Sequence, residues 1–344
     1  MSFENKENLP LVSIIVPVYN GERYLRESLD SIVGQTYPRT EILVMDDGST
    51  DSTPEIAASY GERVNYYRQP QNKGQFPNVN DGIEKALGEY IAIYHADDVY
   101  DRRIIEREVE FLERNPETGA VFCYDIFINA EGREYGRLEI PKELREIPVL
   151  KYPALLNAIL THKNRFLPTP GAMARSSVYK ELGTFRGDEY KIASDLEMWL
   201  RIARRHSIGI LHEYLFSYRH GHDNASQVYY RVRTEEERQF LILDEHLAAG
   251  GTALATAEAI CAYEAHRAED RLMVAVNHYI LGKNKEARKF LGKVEAKQIL
   301  GSPAVQRTRL LILFYGLRIL LRIPRISLLD RLFYRRWHMK TFPA

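Results

Sequence analysis

The first half of the chain alternates short apolar runs with segments of helical periodicity, and this alternation narrows the possible folds more than any other feature. Residues 11–18 (LVSIIVPV) and 41–45 (EILVM) are almost continuously apolar, which is typical of strands buried on both faces. Residues 22–33, between them, carry apolar side chains at helical spacing. A helix between two buried strands is the repeating unit of a parallel sheet covered by helices. The sequence therefore predicts an α/β fold.

The same pattern continues beyond these first elements. We predict further strands and helices in the following segments: strands at 64–68, 89–94, 120–129, 169–175 and 208–212, and helices from 52, near 79–87, at 101–114 and at 195–205. After about residue 233 the pattern is almost entirely helical. We therefore predict two domains: residues 1–230, with a mostly parallel sheet flanked by helices, and an all-helical extension at 231–344.

Charge and cysteine content exclude several classes of protein. The 344 residues include 47 basic and 47 acidic side chains, so the net charge does not suggest a polyanion as partner. Two cysteines, Cys123 and Cys261, are too few for a disulfide scaffold or a four-cysteine zinc site. The first ten residues contain no apolar stretch typical of a signal peptide. These features predict a cytoplasmic protein.

Pairs of acidic residues follow two of the predicted buried strands. Asp46 and Asp47 come directly after the strand at 41–45, and Asp97 and Asp98 follow the strand at 89–94. In open α/β sheets, ligands bind outside the carboxyl ends of the strands. Carboxylate oxygens suit Mg²⁺ or Mn²⁺, which would bridge to a diphosphate. The first pair alone could be a polar turn, but two pairs at one sheet edge indicate a ligand site.

Six segments in this order resemble the family 2 glycosyltransferases, which are inverting enzymes with the GT-A fold. The resemblance covers residues 11 to about 228 and lies in IIVPVYNG at 14–21, SLDSIVGQTYP at 28–38, ILVMDDGSTDST at 42–53, NKGQFPNVNDGI at 72–83, GEYIAIYHADDVY at 88–100 and SDLEMWLRIA at 194–203. It implies a GT-A domain that binds a nucleotide-diphospho-sugar. The glycine pattern differs from the dinucleotide fingerprint, which argues against a dehydrogenase.

The resemblance assigns a nucleotide-sugar role to residues at the ends of the first strands. It implies that Tyr19 and Pro17 lie where the nucleotide base packs, and that Asp47 contacts the base with Asp46 beside it. Lys73 and Gly74 fall in a loop that follows the ribose and diphosphate. These positions predict the donor half of the site.

The resemblance also implies a divalent metal, Mn²⁺ or Mg²⁺, at the second acid pair. Asp98 matches the metal ligand and Asp97 faces the ribose, whereas His95 stands where many relatives have Asp. The segment at 218–222 resembles the YRxH motif, so we expect His222 to complete the metal site or to bind the diphosphate, and Arg219 to bind the diphosphate of the donor. For His222 a purely structural role remains an equal alternative.

Asp195 is the predicted general base. It precedes LEMWLRIA, which matches the family helix whose leading acid faces the acceptor. A carboxylate within hydrogen-bond reach can remove the proton of an acceptor hydroxyl group as it attacks the anomeric carbon. The implied reaction is a single displacement with inversion. A helix N-cap is the structural alternative for Asp195.

The C-terminal segment is basic and amphipathic. From residue 301 onward the net charge is +8, which leaves −8 on the remainder. One stripe of a helix too short to span a bilayer carries Leu310, Leu311, Phe314, Leu317 and Leu321. Two interpretations remain open: peripheral membrane association through residues 307–337, or packing of the leucine stripe against residues 234–300.

We conclude that the sequence predicts a glycosyltransferase that moves a sugar to a glycan or lipid-linked acceptor, in bacterial surface polysaccharide assembly, at the inner face of the cytoplasmic membrane. The alternatives are a sugar nucleotidyltransferase, which usually carries a glycine-rich basic loop that is absent here, and a non-catalytic nucleotide- or glycan-binding module or scaffold. No nucleic-acid partner is expected, because the predicted ligand edge is acidic and would repel phosphates.

Overall fold

The computed structural model describes residues 8–220, 233–302 and 304–323. The chain divides into two compact units, one formed by residues 1–155 with 164–220 and the other by residues 156–163 with 221–344. The domain boundary that the sequence predicts near residue 230 lies outside the described residues, so the predicted domain limits stay a prediction.

The first unit contains one sheet whose parallel part matches the predicted alternation. Its strands are β1 Val12–Val18, β2 Thr40–Asp46, β3 Asn65–Arg68, β4 Tyr90–Ile93, β5 Val99–Tyr100, β6 Thr118–Ile128, β7 Glu134–Arg137, β8 Val149–Leu150, β9 Ala172–Arg175 and β10 Ser207–Arg219. The order is β3-β2-β1-β4-β9-β6-β10-β5, with β7 beside β6 and β8 beside β10. Parallel pairs join β1 to β2 and β4, β2 to β3, and β6 to β10.

The centre of the sheet departs from the repeat, because β9 runs antiparallel to both β4 and β6. The strand predicted at 169–175 forms only over Ala172–Arg175, and Thr169–Gly171 is a single turn of 3₁₀ helix. Pro168 and Pro170 lack the N–H groups that a central strand would donate, which accounts for the shorter strand. The α/β fold with a mostly parallel sheet and C-terminal helices is confirmed.

Helices cover both faces of this sheet. They are α1 Leu25–Val33, α2 Thr53–Ala58, α3 Gln75–Lys85, α4 Ile104–Arg114, α5 Tyr152–His162, α6 Ser176–Leu182, α7 Gly187–Tyr190 and α8 Ser194–Ala203; α5 belongs to the first unit up to residue 155. Helix α3 begins four residues before the predicted start, because Pro77 fits the first turn, where no N–H bond is needed.

The core beneath α1 and α4 is made of the apolar side chains that the periodicity predicts. The buried cluster contains Val12, Ile14 and Val16 of β1, Leu25, Leu29 and Ile32 of α1, and Ile104, Ile105, Val109 and Leu112 of α4. On the other face of the sheet, Ile15 and Met45 lie against Gly82 of α3. The strand ends that carry the acid pairs therefore project from a rigid support.

One carboxylate, Glu108 of α4, is fully buried in this core. The Tyr94 hydroxyl donates to it at 2.8 Å, and burial raises the pKa of Glu108 from its usual 4.5 to about 8. Because the folded-state pKa is above the unfolded value, Glu108 stabilises the fold fully below pH 4.5 and loses this contribution as the pH rises through about 8.

We therefore expect Glu108→Gln to melt several degrees higher than the parent chain at about pH 9 and close to it at about pH 4. The amide keeps the acceptor for Tyr94 without a charge that must be buried. Thermal melts of both proteins across this pH range measure the difference. Equal melting temperatures at every pH would show that burial of this carboxylate carries no pH-dependent cost.

The second unit is helical. Its described helices are α9 Arg238–Ala248, α10 Ala257–Ile280, α11 Asn284–Leu291, α12 Ala296–Leu300 and α13 Ala304–Leu320, together with the end of α5. Leu310, Phe314, Leu317 and Leu321 are buried in a cluster with side chains of α10, α11 and α12. The packing interpretation is therefore correct for the leucine stripe. None of the described helices has the length and apolar character needed to cross a bilayer.

Candidate functional site

The two acid pairs emerge at the same edge of the sheet, on either side of β1. Strand β1 pairs with β2 and β4 in parallel register, so Asp46 lies opposite Val18 and Ile93 lies opposite Ile15. The backbone N–H of Asp47 donates to the Val18 carbonyl at 2.8 Å. The parallel topology thus brings the predicted acids together with Pro17 and Tyr19 at the end of β1.

Asp46 anchors the turn that follows β2. Its carboxylate is fully buried and accepts bonds from the Ser49 N–H at 2.8 Å and from the Tyr66 hydroxyl, while Arg68 Nε lies 3.8 Å away. Both carboxylate oxygens therefore have partners within the protein. Its predicted contact with a nucleotide stays a prediction, and its described contacts all serve the turn.

Asp47 connects this turn to the loop before α3. Its two carboxylate oxygens accept the N–H groups of Lys73 at 2.9 Å and Gly74 at 2.8 Å. Burial raises the pKa of Asp47, and the two backbone bonds oppose that rise. Gly48 has φ +80°, and a Cβ there would lie 3.0 Å from the backbone of Gln71. Asp47 thus joins the two loops that are predicted to hold the donor, the turn after β2 and the loop before α3. The positive φ and the close backbone of Gln71 require glycine at position 48.

Tyr19 lies at the rim of this pair of loops. Its ring is 50% exposed, and the next residue, Asn20, has φ +51°. Asn20 accepts the Thr50 N–H at 2.8 Å through its side chain and donates its own N–H to the Ser49 hydroxyl at 2.9 Å. These bonds fix the backbone beside Tyr19 and leave its ring accessible for stacking.

The second acid pair forms a three-residue cluster with His95. One ligand atom from each of His95, Asp97 and Asp98 lies within 4.8 Å of the others. Asp98 is fully buried; one of its oxygens accepts the Arg219 N–H at 2.8 Å, and the other has no hydrogen-bond partner in the described ranges. A buried carboxylate oxygen without a donor, beside a second carboxylate and an imidazole, fits a divalent cation such as Mn²⁺.

Burial controls the protonation of this cluster. Loss of solvation, followed by the neighbouring Asp97 carboxylate, raises the pKa of Asp98 well above its usual range. Burial lowers the pKa of His95, which favours the neutral imidazole that coordinates metals. His95, where many relatives have Asp, could therefore offer a nitrogen ligand beside the two carboxylates.

Arg219 is buried and holds the backbone beside the cluster of His95, Asp97 and Asp98 through hydrogen bonds. Its Nε donates to the Asp97 carbonyl at 2.8 Å and a terminal nitrogen to Glu27 at 2.7 Å, and its guanidinium lies 4.5 Å from the centre of the Tyr24 ring. The remaining terminal nitrogen faces the carbonyls of residues 129 and 130. All these contacts lie within the protein, so its predicted donor binding stays a prediction. His222 lies outside the described residues.

Asp195 lies in the first turn of α8, and the cap position is Ala193, so the N-cap interpretation is wrong. Thr169 donates its hydroxyl to Asp195 Oδ2 at 3.1 Å, and the Leu196 N–H donates to Oδ1 at 2.7 Å. Burial raises the pKa of Asp195, as a base working near neutral pH requires. The sequence gives no signal that Thr169 contacts Asp195, which is 26 residues away along the chain.

Tyr218, in the segment that resembles the YRxH motif, is a further residue to which the sequence assigns no role. Burial raises the pKa of its phenol, and four carboxylates near it act in the same direction: Asp98, Asp97, Asp125 and Asp195. Carboxylates of the three-residue cluster and the predicted base therefore influence one side chain at the end of β10. Its neighbours come from distant segments, so only the folded chain reveals this position.

Comparison with known proteins places the chain among glycosyltransferases. The family model described as "Glycosyl transferase family 2" matches residues 13–183. An uncharacterised glycosyltransferase of Haemophilus influenzae is 31% identical over 239 residues, which is 68% of this chain and 72% of that protein. An uncharacterised glycosyltransferase of Rickettsia typhi is 32% identical over 61% of this chain and 64% of its own length. The chain therefore spans about two thirds of the length of that relative.

Solved structures share the fold at low sequence identity. The crystal structure of S. aureus TarS 1-349 aligns with a TM-score of 0.57 and 18% identity, covering 88% of this chain and 86% of that one. The mannosyltransferase PcManGT from Pyrobaculum calidifontis aligns with a TM-score of 0.51 and 19% identity, covering 98% and 85%. At this level of identity the likeness concerns the fold alone.

Proposed function

Since the chain belongs to the family 2 glycosyltransferases and has the GT-A fold, we propose that it transfers a sugar from a nucleotide-diphospho-sugar to an acceptor hydroxyl group with inversion. The observation that carries the proposal is the cluster of His95, Asp97 and Asp98 at the same sheet edge as Tyr19 and Asp47. A nucleoside diphosphate needs a base-stacking surface and a positive charge. At this edge Tyr19 offers the ring, and the acidic cluster would offer the charge through a bound divalent cation.

Two neighbours in fold support a nucleotide-sugar donor. S. aureus TarS 1-349 has been crystallised in complex with UDP-GlcNAc. PcManGT has been solved in complex with GDP-Man and Mn²⁺. These ligands belong to those proteins; for this chain they support the choice of donor class and metal class.

On the donor side, we assign the base to Tyr19 and Pro17, and the ribose and diphosphate to the loop at 73–74 and Asp97. Asp98, Asp97 and His95 would hold the divalent metal, with His222 as a further proposed ligand. When bound, the metal supplies positive charge against the growing charge on the leaving diphosphate. Asp98 is kept in position by the Arg219 N–H, and Arg219 also fixes the Asp97 backbone.

On the acceptor side, Asp195 accepts the proton of the attacking hydroxyl group. Its raised pKa makes it a stronger base than an exposed aspartate, and the Thr169 hydroxyl holds one carboxylate oxygen in place. Attack from the face opposite the leaving diphosphate gives the inverted anomer. We propose a glycan or a lipid-linked sugar as acceptor, in surface polysaccharide assembly.

We propose that the reaction takes place in the cytoplasm, at the inner membrane face, and that α13 contacts the lipid. Side chains on one face of α13, away from its buried stripe, are apolar and exposed: Ile312 is 69% exposed, Ile319 60% and Tyr315 52%. Arg309, Arg318 and Arg322 are exposed beside them. An apolar stripe flanked by arginines suits an anionic bilayer surface.

An Ile319→Glu variant is expected to bind vesicles of anionic phospholipid about tenfold more weakly than the parent chain, because it replaces an apolar contact with a repelled charge. Cosedimentation with anionic and with zwitterionic vesicles measures this. Leu87→Glu, which adds the same charge at another exposed apolar residue, is the matched control. Equal binding of Ile319→Glu and the parent chain to anionic vesicles would contradict the membrane proposal.

A calorimetric screen tests the proposed donor site. We would titrate UDP, GDP, dTDP and NAD into the protein with and without Mn²⁺. The proposal predicts that one nucleoside diphosphate binds in a metal-dependent manner and that NAD does not bind. Absence of binding by all three diphosphates would overturn the donor-site assignment and favour the non-catalytic alternative.

A further inference from the structure

One face of the β7-β6-β10 part of the sheet carries four aromatic rings. On adjacent strands, Phe127 of β6 and Tyr218 of β10 are register partners, so their side chains share a face. His220 follows Tyr218 by two residues and returns to that face, and Tyr135 of β7 completes the group. We call Phe127, Tyr135, Tyr218 and His220 the aromatic cluster.

The rings contact one another. Ring centres are 4.7 Å apart for Tyr218 and His220, 5.2 Å for Phe127 and His220, 6.0 Å for Tyr135 and His220, and 6.1 Å for Phe127 and Tyr135. These distances are those of packed aromatic pairs. The cluster is therefore a continuous surface rather than four separate side chains.

The outer part of this surface is open. Tyr135 is 58% exposed, although it packs against two rings. Gly136 lies opposite Phe127, and a Cβ there would come within 3.2 Å of the Phe127 ring. The turn between β6 and β7 is held by Arg219 through the carbonyls of residues 129 and 130. The cluster thus has a rigid support and an accessible tyrosine, whereas an ordinary core cluster would be covered.

The inner part of the surface reaches the acids of the candidate site. Tyr218 lies close enough to Asp98 and Asp195 for both carboxylates to influence its phenol. Asp125, two residues before Phe127 and on the same face of β6, is buried and has one carboxylate oxygen without a hydrogen-bond partner among the described residues. An aromatic surface with a carboxylate at its edge suits a pyranose ring, because such a ring has an apolar C–H face and hydroxyl groups around its rim.

The position in the sheet separates this surface from the donor side. The proposed donor residues lie at the ends of β1 and β2, whereas the cluster lies on β6, β7 and β10, beyond β4 and β9. The Asp97–Asp98 pair follows β4, between the two regions. A sugar on the aromatic cluster therefore lies on the opposite side of the acid cluster from the nucleotide.

We propose that the aromatic cluster binds a pyranose ring of the acceptor, which stacks on Tyr135 with Tyr218 toward the reacting centre. This inference rests on the proposed function and adds to it the surface on which a sugar ring of the acceptor binds. An open-chain alcohol, which has no ring face, would not stack on the aromatic cluster.

The test is saturation-transfer NMR on the full chain with the methyl pyranosides of glucose, galactose, mannose and N-acetylglucosamine. Sorbitol, which has hydroxyl groups but no ring face, is the control compound. We expect the parent chain to bind at least one pyranoside and Tyr135→Ala to bind it about tenfold more weakly. Tyr135→Phe, which keeps the ring, is expected to retain binding, and Tyr67→Ala, at an exposed tyrosine of β3, is the matched control.

A UDP, GDP and dTDP titration of the same samples separates this inference from the proposed function. Suppose that one diphosphate binds and that Tyr135→Ala binds the pyranoside as strongly as the parent chain does. This result would overturn the proposal that the aromatic cluster binds a sugar, and it would leave the proposed donor site intact. Absence of pyranoside binding by the parent chain, or sorbitol binding as strong as that of the pyranosides, would also overturn it. Loss of all diphosphate binding would instead count against the proposed function.

Discussion

An Asp98→Asn variant is expected to lose metal-dependent nucleotide binding by more than about 100-fold while the fold is retained or becomes more stable. The amide oxygen still accepts the Arg219 N–H, so the local structure has no reason to change. The substitution removes a buried carboxyl group whose charged form has too few internal hydrogen bonds. Calorimetry with the preferred diphosphate and Mn²⁺, together with thermal melts in the absence of metal, measures both effects.

Glu108→Gln is the matched control for this prediction. It also removes a fully buried carboxylate, but from α4 and outside the group of His95, Asp97 and Asp98. We expect it to keep the nucleotide affinity of the parent chain. Retention of full metal-dependent affinity by Asp98→Asn would show that the metal is held elsewhere.

Replacing Asp195 by Asn is expected to lower kcat by about three orders of magnitude and to leave nucleotide affinity unchanged, because the amide cannot accept the proton of the acceptor hydroxyl group. Steady-state kinetics with a working donor and acceptor pair measures kcat and KM, and calorimetry measures the nucleotide. A kcat within a factor of a few of the parent value would exclude Asp195 as the base.

Thr169→Val provides a finer test of the same base. Loss of the Thr169 hydrogen bond removes an interaction that lowers the pKa of Asp195, so this pKa should rise further. Activity that depends on the ionised carboxylate would then appear at higher pH. We expect the acidic limb of the pH profile of kcat to shift to higher pH in Thr169→Val. A limb at the same pH as in the parent chain would show that Thr169 does not act through Asp195.

The sheet and the position of the acid pairs follow from local sequence patterns. The apolar runs at 11–18 and 41–45 form β1 and β2, because a strand that is buried on both faces carries apolar side chains at consecutive positions. Parallel neighbours end at one edge, so the sequence alone predicts that Asp47 and Asp98 belong to one site. Their segments also carry the family motifs.

Contacts between distant segments were not predictable in this way. The resemblance predicts that Arg219 binds the donor, but nothing in the sequence predicts its burial or its hydrogen bond to the Asp97 carbonyl. Thr169 and Tyr218 acquire their neighbours only when β9, β6 and β10 come together. The leucine stripe of α13 had two possible partners of similar chemistry, lipid and protein, and periodicity does not distinguish them.

Release of a nucleoside diphosphate from UDP-, GDP- and dTDP-sugars, with and without Mn²⁺, tests the central claim most directly. We expect one class of donor to release its diphosphate in the presence of Mn²⁺, chelation to stop the release, and Asp98→Asn not to support it. Release that is equally fast after chelation or in Asp98→Asn, or no release from any donor, would contradict the account.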